Sequence, residues 1–154
     1  MFIGLVLQPT IAFAQAPQLV GTWKLVAADV VSPDGRTAAD YGPSPRGLAV
    51  FTADGQYVVQ IYRAERTRFA SNDRSRGTPE EYKDAALSIS THFGRYTVDQ
   101  AKGTISFAIA SASFPNLDGT TQVRAFTLVG DSLAWRVPPR PDGSVPVSRF
   151  VRVR

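Results

Sequence analysis

The sequence predicts an all-β fold: an eight-stranded antiparallel up-and-down barrel carrying one short lid helix. Three observations predict it. Strand-like runs follow one another along most of the chain. Asp54-Gly55 and Gly130-Asp131 each join two such runs at hairpin spacing, and a single capping box, Thr78 with Glu81, marks the one helix. Sequential hairpins in this number close most economically on themselves, because closure removes exposed strand edges. An eight-stranded barrel has room for its own side chains or for one small ligand.

Gly21-Thr22-Trp23 heads the first strand, residues 19–32. A glycine lets the backbone kink as a strand begins, and a tryptophan two residues later can plug the end of a small barrel. A cation from the last strand, residues 144–152, can lie over the indole. Arg152 is the first choice and Arg149 the second, since they differ in parity and only one can point inward. Pro33-Asp34-Gly35 turns the chain into a loop, residues 37–45, that carries Tyr41-Gly42-Pro43. Strands 46–52 and 56–63 flank Asp54-Gly55. Over 78–88, reaching to about 90, Thr78 caps a helix with Pro79 at its first position and Glu80 and Glu81 at the positive end of its dipole. Strands resume over 92–99, 104–111, 120–129 and 132–137, with a loop at 114–119.

Composition narrows the function classes. A chain of 154 residues forms one domain and buries a proper core without disulfides. With no cysteine there is no thiolate metal site, cysteine nucleophile or disulfide framework. A single histidine, His92, removes multi-histidine metal centres, so no metal and no cofactor is expected. The net charge of +4 comes from arginines spread along the chain, with one cluster from Arg63 to Arg76. No basic stripe interleaved with aromatics is present, so nucleic acid is not the expected partner. Residues 1–16 combine an apolar stretch with Ala12-Phe13-Ala14, an A-x-A pattern, and read as the remnant of a secretory signal without its positive n-region. The stretch is too short to span a bilayer. The expected organisation is that remnant followed by one barrel domain, 17–154, exported to a bacterial periplasm or secreted. Oligomeric state stays open.

The ordered set Leu19-Val20-Gly21-Thr22-Trp23-Lys24-Leu25, Tyr41-Gly42-Pro43, Gly77-Thr78-Pro79-Glu80-Glu81-Tyr82, Phe93-Gly94-Arg95-Tyr96, Phe114-Pro115-Asn116 and Gln122-Val123-Arg124 resembles bacterial lipocalin-like domain proteins. The resemblance covers nearly everything from Leu19 onward. It implies a small β-barrel that serves as a binder or, in some relatives, as a small-molecule isomerase or cyclase. Fold alone does not choose between them.

Side-chain parity selects the candidate site residues. Gln122, Arg124, Phe126 and Leu128 share one face of their strand. If that face points inward, Arg124 is a buried cation that needs an acid, several acceptors or an anionic ligand. Otherwise it faces solvent, or an internal acid such as Asp73 neutralises it. His92 and Tyr96 share a face with Gly94 between them. The histidine is the one obvious proton shuttle, or else it caps the helix end. Gln60 and Tyr62 oppose Tyr57, Val59 and Ile61 on their strand, and either set can be internal. Asn116 either makes a turn or hydrogen-bonds a ligand at the mouth.

Three functions follow. The leading one is an exported binder of one small, largely apolar ligand, anchored by Gln122, Arg124, His92, Tyr96, Gln60 and Asn116, with Arg124 favouring a carboxylate or enolate oxygen. The second is a cofactor-free isomerase or cyclase, with His92 or Tyr96 moving a proton and Arg124 holding the oxyanion. The third is an envelope scaffold that meets an acidic partner through the Arg63–Arg76 cluster.

Overall fold

Apolar alternation and turn chemistry produce ten regular elements, and the computed structural model describes residues 18–154. The reading of residues 1–16 as a secretory remnant lies outside the described residues. In chain order the elements are β1 (Gly21–Val31), β2 (Thr37–Ala39), β3 (Arg46–Phe51), β4 (Gln56–Tyr62), α1 (Pro79–Leu87), β5 (Ile89–Asp99), β6 (Thr104–Ala112), β7 (Thr121–Val129), β8 (Ser132–Arg136) and β9 (Val145–Arg152). A short 3₁₀ turn, Pro115–Leu117, follows β6. Among the described residues no helix is long and apolar enough to cross a membrane.

Every strand from β3 to β9 pairs antiparallel with the next, and β9 returns to pair with β1 from Trp23–Arg152 to Val31–Val145. The result is a closed ring of eight strands. β2 is the difference from expectation: part of the anticipated loop 37–45 forms a ninth, short strand. β1 pairs with β3 only over Gly21–Lys24, and its far half, Asp29–Val31, takes β2 instead. Unpaired backbone groups on that half of β1 would otherwise form an open edge.

The hairpin at Asp54-Gly55 forms because Gly55 adopts φ 85°, and the Gly55 N–H donates to the Thr52 carbonyl. The capping box closes in both directions: Thr78 Oγ1 accepts from the Glu81 N–H, and Glu81 accepts from the Thr78 N–H. α1 then passes directly into β5, which begins at Ile89 rather than near residue 92. Asp84 on α1 accepts from Arg63 Nη1 and from the Thr67 N–H, tying the helix to the segment after β4.

Two bulges bend the wall. One lies between Leu25 and Ala27 in β1, and the other in β6, where Phe93–Ser111 and Gly94–Ile109 pairs flank an extra Ala110. The inward faces of the strands build an aromatic core: Phe51, Tyr57, Tyr96, Phe107, Trp135 and Phe150 interlock, mostly edge to face.

Candidate functional site

β7 aims Gln122 and Arg124 into the barrel. Its register opposes Arg124 to Ile105 and Gln122 to Phe107, both inward residues of β6. Arg124 is 5% exposed, so it does not face solvent. Asp73 does not neutralise it: that carboxylate lies in the loop before α1 and accepts from the Ser75 N–H and hydroxyl. Among the described residues no carboxylate pairs with Arg124.

The guanidinium instead lies 4.7 Å above the centre of the Phe107 ring and 5.7 Å from that of Trp135. A cation over aromatic faces recovers part of the solvation it loses on burial. Nη2 donates to His92 Nε2 at 3.0 Å and to Gln122 Oε1 at 2.7 Å. Nε is buried with no acceptor. Burial pulls the Arg124 pKa down to about 10, which leaves it charged near neutral pH.

The imidazole lies inside the barrel, 4% exposed, and does not cap the helix; the Ser88 N–H closes α1 on the Asp84 carbonyl. Its tautomer follows from its neighbours. A guanidinium only donates, so His92 Nε2 presents its lone pair to Arg124. Nδ1 then carries the proton and donates to the Tyr57 hydroxyl at 2.9 Å. Burial first, and the charge of Arg124 second, push the His92 pKa down to about 3. Burial pushes the Tyr57 hydroxyl up to about 12. The cluster is one fixed cation held by neutral groups.

Above this cluster is a cavity of about 720 Å³. Its walls are Val59, Ile61, Ile89, Leu117, Val137 and Val147, and its mouth is framed by Leu87, Phe114 and Pro138–Pro141. His92, Gln122 and Arg124 form its polar floor, standing on Phe107 and Trp135. α1 contributes Ala86 and Leu87 to the wall, so the helix does sit at the mouth. Two acids, Asp29 and Asp40, also line the cavity, each engaged by an arginine, Arg149 and Arg140 respectively.

The other candidates lie elsewhere. Tyr96 points inward but packs edge-on against Phe51, its hydroxyl donating to the Thr52 carbonyl, in the half of the barrel away from the cavity. Gln60 alternates with the inward residues Tyr57, Val59 and Ile61 and so takes the outer face of β4. Asn116 is exposed in the 3₁₀ turn, while its neighbours Pro115 and Leu117 line the mouth. The sequence does not single out Tyr57 as a site residue. The available signal was that Tyr57, Val59 and Ile61 form the more apolar of the two faces.

The far end is closed by Trp23, which is fully buried and donates from Nε1 to the Leu19 carbonyl at 2.8 Å. Arg152 lies over the indole at 4.1 Å from the ring centre and donates to the Val20 and Gln18 carbonyls. Gly21 has φ 132°, and a Cβ there would stand 3.0 Å from Arg152 Nη1. Arg149 turns outward to Asp29. On the exterior, Arg46, Arg63, Arg66 and Arg68 surround a separate depression of about 510 Å³ beside Tyr62 and Phe69.

A buried floor with one positive charge can orient an oxygen anion, and apolar walls can hold the body attached to it. Comparison with known proteins gives the chain a family. The crystal structure of a lipocalin-like protein from Bacteroides uniformis ATCC 8492 is similar at 14% identity and a TM-score of 0.47, covering 88% of this chain and 99% of that one. An uncharacterized protein from Bacteroides eggerthii DSM 20697 is similar at 16% identity and a TM-score of 0.41, covering 86% and 98%. No curated protein matches this sequence. A sequence model of the lipocalin-like domain matches residues 20–152, and the chain belongs to that family.

Proposed function

We propose that this chain binds one small, largely apolar molecule inside its barrel. The observation that carries the reading is the cavity of about 720 Å³, walled by aliphatic side chains over a floor of three polar ones. Pockets for small molecules typically have this size and composition, at roughly 300–1,000 Å³. Titration with the neutral fluorophore N-phenyl-1-naphthylamine tests it, together with native mass spectrometry of protein isolated from its own host. A saturable, one-to-one fluorescence rise is expected. A barrel that neither takes the fluorophore nor carries any small molecule would remove the reading. Export is proposed with it, on the apolar stretch ending at Ala12-Phe13-Ala14. Cell fractionation, with N-terminal sequencing of the mature chain, is its test.

The enzymatic alternative has its distance but not its base. His92 and Arg124 are 3.0 Å apart on one cavity floor. The imidazole lone pair is held by Arg124, however, and a conjugate acid with a pKa of about 3 makes a weak proton acceptor at neutral pH. The arginine-lined depression outside the barrel is the observation that would favour a surface partner, and it does not bear on the cavity.

A further inference from the structure

We propose that the cavity ligand is a monocarboxylate with an apolar body, seated head-down on Arg124 with its tail toward the mouth. This deepens the binding reading above and rests on it. The charge balance of the floor carries the inference. Arg124 is a cation 5% exposed, and protein acceptors engage only its Nη2. At the floor Arg124 Nε is buried with no acceptor, and beneath it Trp135 Nε1 is likewise without one. The floor is therefore rich in donors and poor in acceptors. A buried cation without a counter-charge is costly unless an anion joins it.

The number of charges is set by the neighbours. His92, Gln122, Tyr57 and Ser148, the last buried opposite Trp135 in the β8–β9 register, are the polar side chains in and beside the floor cluster, and none is charged near neutral pH. The His92 lone pair is turned to the guanidinium and its other nitrogen to Tyr57. Asp29 and Asp40 line the cavity but are already paired with Arg149 and Arg140. One uncompensated positive charge remains, and one negative charge matches it. A phosphate dianion would bring a second, unpaired charge onto a buried floor. An alcohol would leave the cation bare. Tyr57 and His92 are positioning residues here: they hold the tautomer that fixes the guanidinium, and Tyr57 is not part of the cavity lining.

Displacement of N-phenyl-1-naphthylamine from the intact chain by decanoate, decanol and decyl phosphate tests the proposal near neutral pH. Decanoate is expected to displace the fluorophore at concentrations at least about tenfold lower than decanol, as a charge-assisted hydrogen bond to a buried cation requires. Arg124→Met is expected to abolish that preference, read within the folded variant itself as decanoate and decanol displacing the fluorophore at concentrations within about threefold of each other. Decanol competing as well as decanoate, decyl phosphate competing better, or a preference that survives in folded Arg124→Met would overturn the carboxylate assignment. If that variant does not fold, the wild-type series alone decides between acid, alcohol and phosphate. If wild type neither binds the fluorophore nor carries a small molecule, the cavity reading falls and takes this proposal with it; if it carries a copurified molecule instead, a neutral or doubly charged one overturns the carboxylate assignment and a monocarboxylate supports it.

Discussion

Acidification should weaken this barrel through His92 before its carboxylates contribute. In the folded protein burial, and then the charge of Arg124, pull the imidazole from its ordinary 6.5 down to about 3. The unfolded chain titrates near the ordinary value and takes up a proton that the folded chain refuses. The stability linked to His92 is therefore complete above about pH 6.5 and is lost progressively as pH falls toward 3. One pH unit below the unfolded pKa corresponds to about 1.36 kcal/mol, so at pH 5 the loss is about 2 kcal/mol. That is a large fraction of the roughly 5–15 kcal/mol by which a domain is stable. The acids act lower. Asp54, Asp73, Glu81, Asp84, Asp99, Asp131 and Asp142 are all held below their ordinary values, chiefly by hydrogen bonds. Their contributions are present above their ordinary values of 3.8 and 4.5 and are lost beneath them. Urea denaturation followed by tryptophan fluorescence at pH 7.5, 6 and 5 separates the two effects, using wild type and His92→Gln. Glutamine can still accept from Arg124 and donate to Tyr57, but it does not titrate. Wild type should lose about 2 kcal/mol across that range while the variant stays nearly level. Parallel curves for the two proteins, or a folded-state His92 titration near 6.5 by proton NMR, would refute the reasoning.

Two further outcomes test the framework. Trp23→Ala should destabilise by roughly 3–5 kcal/mol in urea titrations, because it empties a fully buried indole site and strips Arg152 of its ring. Fluorophore affinity in the folded variant should be unchanged, since neither Trp23 nor Arg152 lines the cavity; weaker binding at unchanged stability would contradict that separation of ends. Gly94→Ala should lose at least about 1–3 kcal/mol, because its Cβ would stand 2.1 Å from the Ala108 carbonyl oxygen across the β5–β6 pair. Wild-type thermal stability in that variant would mean the two strands are not so closely apposed.

The parts of this fold legible in the sequence are those made within a few residues. Asp54-Gly55 turns because Gly55 bonds to Thr52, and α1 starts because Thr78 and Glu81 bond to each other. The alternation that groups Gln122 with Arg124 is equally local, as is the grouping of His92 with Tyr96. Local order does not say which way a face points. That was settled when β6 and β8 paired with the two sides of β7 and put Arg124 over Phe107 and Trp135. Likewise β2 exists because the far half of β1, abandoned by β3, needs a partner.

His92 shows the limit most clearly. One chain position carries two opposite readings, a charged helix cap and a proton shuttle; the structure places the imidazole inside the barrel, off the helix end, with Nε2 on Arg124 and Nδ1 on Tyr57. Its two partners, Tyr57 and Arg124, lie 35 and 32 positions away. Sequence alone determined the turns, the helix start and the sets of residues that share a face, since backbone hydrogen bonds and strand alternation act over neighbouring positions. The charge state of the imidazole, the burial of an arginine without an acid and the cavity above them were decided only by tertiary structure. Desolvation depends on what distant strands bring alongside, and no run of neighbouring residues encodes it.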